Sequence, residues 1–299
     1  MSVVGRHPGL LAVAGAITIA FSGILVRLAD VEPSTAAFFR CFYALPFLGA
    51  LAWTERRRFG PREPGQRTLA WIAGLFFAAD LVFWHHAIAA VGAGLGTVLA
   101  NTQLILVGLA AWAILGEKPG SRVLAAIPVV LTGIVLISGV LGADAYGDDP
   151  ALGVLFGVLT AIAYSAFLLV LRAGNRDLRR PAGPLFDATL ASAVGCAVAG
   201  ALLGELDLAP AWPAHGWLVV LAVSAQVLGW LVISVSLARL PAARTSLLLT
   251  IQPAAAVIFA MLLVDEDPSW VQLAGIVVVL GGIGFATGSR RQEPAPAPT

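Results

Sequence analysis

The sequence predicts an all-α membrane protein with ten transmembrane helices, arranged as two inverted five-helix repeats. The chain is 59% hydrophobic and only 12% charged, whereas a soluble domain is roughly 25% charged. Ten apolar runs of about 17–24 residues each have the length that crosses a bilayer as a helix. Two stretches of the chain also match each other at a constant offset, and acidic and basic connections alternate along it.

The ten predicted spans follow one another through short connections. They lie near residues 8–29, 33–53, 68–91, 93–115, 121–141, 151–172, 183–204, 215–238, 242–264 and 268–288. The first is not a cleaved signal peptide, because its apolar run is too long and a second span follows at once. We assign 1–145 to the first five-helix repeat, 146–289 to the second, and the proline-rich end, 290–299, to a disordered cytoplasmic tail.

The repeat is clearest in the last spans of the two halves. Without a gap, the matched positions are Leu99/Leu248, Gln103/Gln252, Ala111/Ala260, Leu124/Leu273, Val129/Val278, Val130/Val279, Leu131/Leu280, Gly133/Gly282 and Gly139/Gly288. In this alignment basic Lys118 corresponds to acidic Asp267. Because Lys and Arg stay in the cytoplasm, the reversal indicates that the halves cross the membrane in opposite directions. Inverted repeats are typical of transporters, whose substrate site lies between the repeats.

The charges of the connections predict the orientation. Acidic residues follow spans one, five, seven and nine, as at Asp30, Asp149 and Glu205. Arginine clusters follow spans two and six, as in 56–58 and 179–180, and two more arginines close the chain. The positive-inside rule therefore predicts that both termini lie in the cytoplasm, and we expect a multi-pass protein of a bacterial inner (plasma) membrane. An odd number of spans per half also requires the halves to lie upside down to each other.

The sequence argues against several classes of function. The connections are too short for a soluble catalytic or nucleotide-binding domain, and no GxxxxGK[ST] phosphate loop occurs, so ATP is not expected as the direct energy source. A net charge of +1 implies no nucleic-acid partner. Cys41 and Cys196 fall within predicted spans, where we interpret them as packing residues. We predict no enzyme activity, no catalytic residues and no cofactor.

Motifs in the last three spans of each half point to one family. The first half contains Ala87-Ile88-Ala89-Ala90, Leu99-Ala100-Asn101-Thr102-Gln103, Gly116-Glu117-Lys118 and the helix with Gly133. The second contains Ser236-Leu237-Ala238-Arg239-Leu240, Ser246-Leu247-Leu248-Leu249-Thr250-Ile251-Gln252-Pro253 and Asp265-Glu266-Asp267, and span two contains Phe39-Arg40. With ten spans and alternating charge, the chain resembles the EamA-like branch of the drug/metabolite transporter superfamily, which includes ten-helix bacterial metabolite and amino-acid exporters.

The resemblance covers the whole chain apart from its tail. It implies a compact ten-helix bundle, alternating access and transport of a small metabolite, commonly outward, and it implies no single substrate. One departure concerns the proline in the middle of the fourth span of each half, because Pro253 is present but Leu104 stands in its place in the first half. The span-three string that contains Asp80 and Trp84-His85 resembles a variant found in a subset of members.

Ionisable side chains within the predicted spans are the first candidates for a site. They are Arg40, Asp80, His85, His86 and, nearer the cytoplasm, Asp187. An Asp or Arg at mid-helix costs at least about 2.5–3.5 kcal/mol on insertion scales. Arg40 and Asp80 fall at compatible depths, and two interpretations stay open. They form a fixed ion pair between helices, or Asp80 titrates or binds a substrate amine while Arg40 binds a carboxylate.

Trp84 and two histidines follow Asp80 on the same span. Trp84 is four residues on and shares the face of Asp80, which places an aromatic surface beside an acceptor and suits a cationic or amino-bearing solute. His85 and His86 differ by about 100° around the helix, so they cannot point the same way. We favour His85 for a cavity or proton-relay role, and the alternative is a neutral histidine bonded to a backbone carbonyl. Adjacent histidines without further ligands predict no metal site.

Uncharged polar and aromatic residues at mid-depth complete the predicted substrate site. They are Asn101, Gln103, Tyr164, Gln226, Trp230, Thr250 and Gln252. Amides can hold a zwitterion or simply bond across helices, so a packing role stays open. For Ser22 and Ser165, ordinary packing is the better interpretation. Pro253 frees a carbonyl one turn earlier, which would expose a polar backbone group beside a cavity.

These observations predict a secondary transporter that exports amino acids or related small metabolites by alternating access. We expect a small-molecule substrate, membrane lipids and, as an open alternative, protons coupled through Asp80 or His85, with Arg40 as the ion-pair residue. The chain is expected to be a monomer or a homodimer. Multidrug, nucleoside and nucleotide-sugar transport are alternatives within the same fold. An intramembrane enzyme is disfavoured because the sequence shows no nucleophile paired with a base. A channel is disfavoured because the sequence shows no rings of like charge to line a pore.

Overall fold

The computed structural model describes residues 8–103, 105–106, 109, 120–138, 141, 144–175, 177, 179–232 and 251–287, and its regular structure there is helical. In chain order the helices are α1 Pro8–Ala29, α2 Pro33–Phe42, α3 Leu45–Phe59, α4 Pro64–Ala100, α5 Ser121–Ile137, α6 Pro150–Gly174, α7 Ala182–Leu203, α8 Ala214–Leu221, α9 Ile251–Leu263 and α10 Trp270–Thr287. A π-helical segment, Ala222–Gly229, continues α8. Lys118, Thr250 and the predicted tail lie outside the described residues.

The helices have the length and surface of a membrane protein. Within the described residues, five helical stretches are long and apolar enough to cross a bilayer: Pro33–Phe59, Pro64–Ala100, Pro150–Gly174, Ala182–Leu203 and Ala214–Val232. Shorter apolar helices include Ser121–Ile137 and Ile251–Leu263. Large apolar side chains such as Leu262 and Val277 are 72% and 70% exposed. Such a surface is costly in water and stable in lipid.

Prolines and one aspartate mark helix starts. Pro33, Pro64 and Pro150 are the first residues of α2, α4 and α6. The first position of a helix tolerates proline because its N–H would have no helical partner. The Asp149 carboxylate, just before α6, accepts a hydrogen bond from the Leu152 N–H at 2.9 Å. This side-chain cap satisfies one of the unpaired donors of the first turn.

Gly92 divides α4 into two arms. A straight helix of 37 residues would be about 55 Å long, against a hydrocarbon core of about 30 Å. At Gly92, φ is +86° and ψ is 169°, a conformation that glycine adopts readily. Beyond the break, Gly96 lies beside Ala87 and Ile88, so the chain turns back on itself. The break coincides with the predicted boundary between two spans, 68–91 and 93–115.

The second arm of α4 begins at the carboxylate of Glu266. Its two oxygens accept hydrogen bonds from the backbone N–H groups of Ala93 and Gly94, the latter at 3.0 Å. A Cβ atom at Gly92 would lie 2.6 Å from the Glu266 carboxyl carbon, so the approach requires glycine there. Because the first N–H groups of a helix have no partner within it, the α9–α10 connection supplies the cap for α4.

Small residues bring α4 into close contact with α6 and α7. A Cβ atom at Gly74 would lie 2.3 Å from the carbonyl oxygen of Ala188 in α7. On α6, a Cβ atom at Gly157 would lie 2.5 Å from Leu99 Cβ. Close backbone approach drives helix association in lipid, where no hydrophobic force acts between helices. α4 packs most extensively against these two helices, and its polar residues are therefore enclosed by them.

α5 and α10 run antiparallel and make equivalent contacts with each other. A Cβ atom at Gly133 would lie 2.6 Å from Val279 Cγ2, and one at Gly282 would lie 2.7 Å from Val130 Cγ2. Residue numbers rise along one helix as they fall along the other, which fixes the antiparallel direction. Gly133 corresponds to Gly282, and Val130 to Val279, in the sequence repeat. The two contacts are thus the same contact made twice, with the helices exchanged.

Candidate functional site

Polar and aromatic side chains from several helices surround one cavity of about 220 Å³. The lining residues are Ile19, Ser22, Arg40, Phe77, Asp80, Leu81, Trp84, Thr97, Ala100, Asn101, Gln103, Tyr164, Leu168, Trp230 and Gln252. They come from α1, α2, both arms of α4, α6, the stretch after the π-helical segment, and α9. Seven of the residues predicted for substrate binding are therefore brought together at one place: Asp80, Trp84, Asn101, Gln103, Tyr164, Trp230 and Gln252.

Asp80 supplies the negative charge of the cavity. The residue is only 6% exposed, and it forms neither a hydrogen bond nor an ion pair with any described residue. Four residues further along α4, Trp84 lines the same cavity. A carboxylate that no described residue binds, next to an aromatic ring, is an acceptor suited to a cationic group.

Arg40 supplies the positive charge and is held by neutral groups. Its Nε donates to Gln226 Oε1 at 3.2 Å, and Gln226 Nε2 donates to Thr189 Oγ1 at 3.1 Å. The Arg40 Cζ atom lies 5.4 Å from the centroid of the Trp84 ring, within cation–π range. In the described part of the chain, no ion pair joins Arg40 to Asp80. Of the two interpretations left open above, the direct ion pair is not formed between these two described residues, and both line the cavity.

Stacked aromatic rings form one wall. Phe77 and Phe167 stack with ring centroids 4.4 Å apart, and Tyr164 stacks on Phe167 at 5.9 Å. Trp230 meets Phe77 and Phe167 edge-on at 5.8 and 5.5 Å. The Trp230 Nε1 donor is buried and has no hydrogen-bond partner among the described residues. Because a buried N–H without an acceptor is costly, this donor is a candidate to bind a ligand.

The turn that follows the second arm of α4 contributes two side-chain amides, Asn101 and Gln103. Asn101 Nδ2 donates to the Thr97 carbonyl at 2.8 Å. This hydrogen bond does not use the side-chain oxygen of Asn101, which can accept from another group. Gln103 Oε1 is buried without a hydrogen-bond partner among the described residues. The backbone carbonyl of Gln103 accepts from Ser165 Oγ at 3.4 Å. Since Glu266 caps this arm at its start, the position of these groups depends on the α9–α10 connection.

Comparison with known proteins gives the family. The model of the EamA-like transporter family matches the chain twice, over residues 8–139 and 151–288. The chain belongs to the EamA-like transporter family. It is therefore a member of the drug/metabolite transporter superfamily and a multi-pass membrane protein with two EamA repeats, in a family whose members are transporters. The resemblance inferred from the sequence motifs is confirmed.

One solved crystal structure gives a measure of the fold similarity. It superimposes on this EamA-like chain with a TM-score of 0.62 at 18% sequence identity, and the match covers 93% of this chain and 96% of the other. At this identity the likeness concerns the fold alone. No curated protein sequence matches the chain.

The remaining predicted site residues of this EamA-like protein lie outside the cavity lining or outside the described residues. Gln226 is fully buried and does not line the cavity. It accepts a hydrogen bond from Arg40, which does. Thr250 lies outside the described residues. His85 is buried beside the cavity, with its ring edge-on to Trp84 at 5.0 Å. Its Nδ1 lies 2.6 Å from the Leu81 carbonyl and donates to it, and Nε2 has no partner among the described residues.

His86 belongs to a polar cluster at one end of the EamA fold. Its Nε2 lies 3.0 Å from Glu205 Oε1, and Ser34 Oγ donates to Glu205 Oε2 at 2.6 Å. His86 Nδ1 faces the Val82 carbonyl at 2.7 Å, so both ring nitrogens face acceptors and donate together when the ring is protonated. Burial raises the pKa of Glu205, but the hydrogen bonds from Ser34 and His86 lower it, and the net pKa lies below its ordinary value.

Several lining residues were not predicted from the sequence. Phe77 and Thr97 are the most informative, because Phe77 precedes Asp80 by three residues and Thr97 precedes Asn101 by four. Helical neighbours at these spacings share a face, so the pattern could have identified both. Ser22, for which packing was the better interpretation, lines the cavity while its Oγ donates to the Ile19 carbonyl at 2.6 Å. Ser165 stays outside the lining.

Proposed function

We propose that this protein is a secondary active transporter that exports amino acids or related small metabolites by alternating access. The observation that carries the proposal is the Asp80 carboxylate, which lies buried in the cavity wall without a hydrogen-bond or ion-pair partner among the described residues. Leaving an ionisable group unpaired inside a membrane protein is expensive, and such residues usually mark a substrate or ion pathway. The family assignment supports transport as the use of this group.

The lining suits a zwitterion better than a singly charged solute. Asp80 can accept hydrogen bonds from a substrate amine, and Arg40, held by neutral Gln226, keeps its positive charge for a carboxylate. The Trp84 ring and the Phe77 wall would contact an apolar side chain. Trp230 Nε1 and Gln103 Oε1 add one unused donor and one unused acceptor.

The size and charge of the cavity favour a small metabolite over the alternatives. A volume of about 220 Å³ is below the range of about 300–1,000 Å³ typical of drug-sized ligand pockets. This disfavours multidrug transport. Nucleotide sugars carry several negative charges, and a lining with one arginine and one aspartate, Arg40 and Asp80, offers no excess of positive charge to bind them.

The contacts of α5 and α10 support the inverted arrangement that alternating access requires. Gly133 meets Val279 as Gly282 meets Val130, and the two helices are antiparallel. A contact that is repeated with its partners exchanged is typical of a two-fold relationship. We therefore propose two inverted five-helix repeats, 1–145 and 146–289, followed by a cytoplasmic tail, with both termini in the cytoplasm. Rocking of one repeat against the other would expose the cavity to each side in turn.

The proposal is tested by flux measurements in proteoliposomes. We expect saturable transport of amino acids, and we expect Asp80→Asn to lower kcat/KM by about tenfold or more, because hydrogen bonds to charged groups contribute about 1.5–3 kcal/mol. Asp207→Asn, at an exposed carboxylate away from the cavity, is the matched control. Absence of flux for every amino acid and related amine would contradict the substrate class, and non-saturable flux would indicate a channel.

Proton coupling is a separate part of the proposal. Asp80 is an acidic residue that lines the cavity and has no hydrogen-bond or ion-pair partner in the described part of the chain, so it is the candidate proton carrier. We expect an imposed pH gradient to drive accumulation in the wild type and to drive none in Asp80→Asn. Equal accumulation with and without the gradient would exclude protons as the coupling ion and would leave substrate binding at Asp80 untouched.

A further inference from the structure

A second cavity lies where the α3–α4 connection meets the start of α7. Its volume is about 250 Å³, and its charged lining residues are Glu55, Arg56, Arg62, Arg67, Arg180 and Asp187. Arg180 is paired with Asp177, outside the lining, at 3.1 Å, so the excess of positive charge lies at Arg56, Arg62 and Arg67. None of these residues lines the substrate cavity, so the proposed transport chemistry gives this basic cavity no role.

Both carboxylates in the lining are already bound within the protein. Glu55 accepts hydrogen bonds from the first two backbone N–H groups of α7, at 3.0 and 2.8 Å. Asp187 accepts from Arg62 Nη2, and Arg67 Nε lies 3.5 Å from the same carboxylate oxygen. The Asp187 carboxylate therefore faces two guanidinium groups and can neutralise only one of them. A net positive charge remains at Arg62 and Arg67.

Unused donors remain on two of the arginines. Arg62 Nη1 is buried and has no hydrogen-bond partner among the residues that the structure describes. Arg56 is exposed and forms no hydrogen bond or ion pair with any described residue. A buried cationic N–H without an acceptor is costly. Guanidinium groups bind phosphate oxygens through paired N–H donors, so a phosphate group would satisfy these positions.

A neighbouring hollow connects the basic cavity to the lipid-facing side of α4. Arg62 and Arg67 line both, and Trp71 lines the hollow. Along the same stretch of α4, the exposed apolar side chains are Trp71, Ile72, Leu75 and Phe76. Tryptophan is enriched where lipid headgroups meet the hydrocarbon region. Arginines beside a tryptophan and an exposed apolar helix surface are the arrangement expected where a protein meets lipid headgroups.

We infer that the basic cavity binds the phosphate group of an anionic phospholipid. The phosphate oxygens accept hydrogen bonds from Arg62 Nη1, Arg56 and Arg67 complete the charge balance, and the acyl chains lie along α4 beside Trp71. Basic pockets between membrane helices are known headgroup sites. Arg62 belongs to the first family match and Asp187 to the second, so a lipid bound here contacts both halves of the transporter.

Binding is tested with the full-length protein, purified in detergent and freed of lipid. Native mass spectrometry and thermal unfolding are followed during titration with phosphatidylglycerol, phosphatidylcholine or inorganic phosphate. We expect phosphatidylglycerol to bind and raise Tm, and the other two to do neither at the same concentration. Arg56→Gln and Arg67→Gln should each weaken phosphatidylglycerol binding about fivefold. Arg58→Gln, at an exposed arginine of α3 outside the cavity, should leave binding unchanged.

Three outcomes would overturn the inference. Equal stabilisation by phosphatidylcholine would remove the role of the anionic headgroup. An equal loss in Arg58→Gln and Arg67→Gln would reduce the effect to general surface charge. Inorganic phosphate that binds as tightly as the lipid would assign the cavity to a soluble anion instead. Arg56 and Arg67 are exposed, so their variants are expected to fold, and binding is measured without flux, which keeps the result independent of the proposed transport.

Discussion

The guanidinium of Arg40 donates through Nε to Gln226 Oε1 at 3.2 Å. Arg40 and Asp80 line the same cavity, but these two described residues form no ion pair with each other. An amide acceptor fixes the direction of the guanidinium without neutralising it. Thr189 Oγ1 in turn accepts from Gln226 Nε2 at 3.1 Å and fixes the amide. The cavity is therefore lined by one basic and one acidic side chain that form no ion pair with each other or with another described residue, which is the arrangement expected for a zwitterionic ligand.

Gln226→Glu should impair recognition of the substrate carboxylate. The variant keeps the size of the side chain, and the Thr189 hydroxyl can donate to the new carboxylate, so the fold is expected to persist. Arg40 would then be ion-paired within the protein. We expect kcat/KM for an amino acid to fall by about tenfold, equivalent to about 1.4 kcal/mol, while transport of the corresponding decarboxylated amine changes little.

The comparison of the two solutes is what identifies the role of Arg40. Thr189→Val is the matched control, because it removes a buried hydrogen bond of the same network without changing its charge. Equal losses for the amino acid and the amine in Gln226→Glu would argue for a general packing defect. An unchanged KM for both would contradict a contact between Arg40 and the substrate.

The sequence was sufficient for the parts of this arrangement that depend on helix periodicity. Asp80 and Trp84 share a face because they are four residues apart on α4, and both line the cavity. The chain reversal at Gly92 coincides with the predicted gap between two apolar runs because a helix that crosses the bilayer must end there. Apolar length and intrahelical spacing are local properties, so they can be derived without knowledge of the fold.

The roles of Gln226 and His85 could not be derived in this way. Gln226 and Trp230 are four residues apart, but Gln226 lies in the π-helical segment, where i→i+5 hydrogen bonds change the angular offset between residues. Trp230 lines the cavity and Gln226 does not. Whether His85 faces the cavity or a neighbouring helix depends on which helix packs against each face of α4. Such contacts are tertiary, and no spacing in the sequence encodes them.

Glu266→Ala should destabilise the protein and displace the second arm of α4. The substitution leaves the N–H groups of Ala93 and Gly94 without their acceptor, and loss of a helix cap costs about 0.5–2 kcal/mol. We expect the free energy of unfolding in mixed micelles to fall by about 2 kcal/mol, near the upper end of that range because both N–H groups are buried. Transport should fall as well, since this arm carries Asn101 to the cavity.

Two further variants separate the cap from general charge effects at the α9–α10 connection. Glu266→Gln keeps one acceptor oxygen and should lose less stability than Glu266→Ala. Asp267→Asn changes an exposed carboxylate next in sequence and should stay within about 0.5 kcal/mol of the wild type. An Asp267→Asn variant as unstable as Glu266→Ala would rule out capping as the cause.

Protonation of Glu205 should lower the thermal stability of the protein at acidic pH. Burial acts to raise the pKa of this carboxyl, and the hydrogen bonds from Ser34 and His86 outweigh it, so the native pKa lies below the ordinary value of 4.5. A carboxyl with a lowered native pKa stabilises the fold above its unfolded-state pKa, and the contribution is lost as pH falls through the native pKa. Tm should therefore decrease as pH is lowered from 6 to below about 4.

Glu205→Gln should flatten this part of the Tm–pH curve, because the amide does not titrate. The amide oxygen can still accept from Ser34, so the variant is expected to fold. Asp207→Asn, at an exposed carboxylate two residues on, serves as the control and should keep the wild-type slope. A wild-type slope in Glu205→Gln would mean that other carboxyls are responsible for the acid sensitivity.

Gly282→Ala should disrupt the contact between α5 and α10, whereas Gly281→Ala should not. A Cβ atom at Gly282 would lie 2.7 Å from Val130 Cγ2, but one at Gly281 would meet nothing within 4 Å. Overpacking of this kind costs about 1–3 kcal/mol, while alanine in an open helical position is favourable by about 0.5–1 kcal/mol relative to glycine. The two neighbouring variants are therefore expected to shift the free energy of unfolding in opposite directions. Gly133→Ala, the corresponding position on α5, should destabilise at least as much as Gly282→Ala, because its Cβ atom would also lie 2.9 Å from the Gly275 carbonyl oxygen and from Val279 N. A clear loss in Gly282→Ala with none in Gly133→Ala would contradict this packing of α5 against α10.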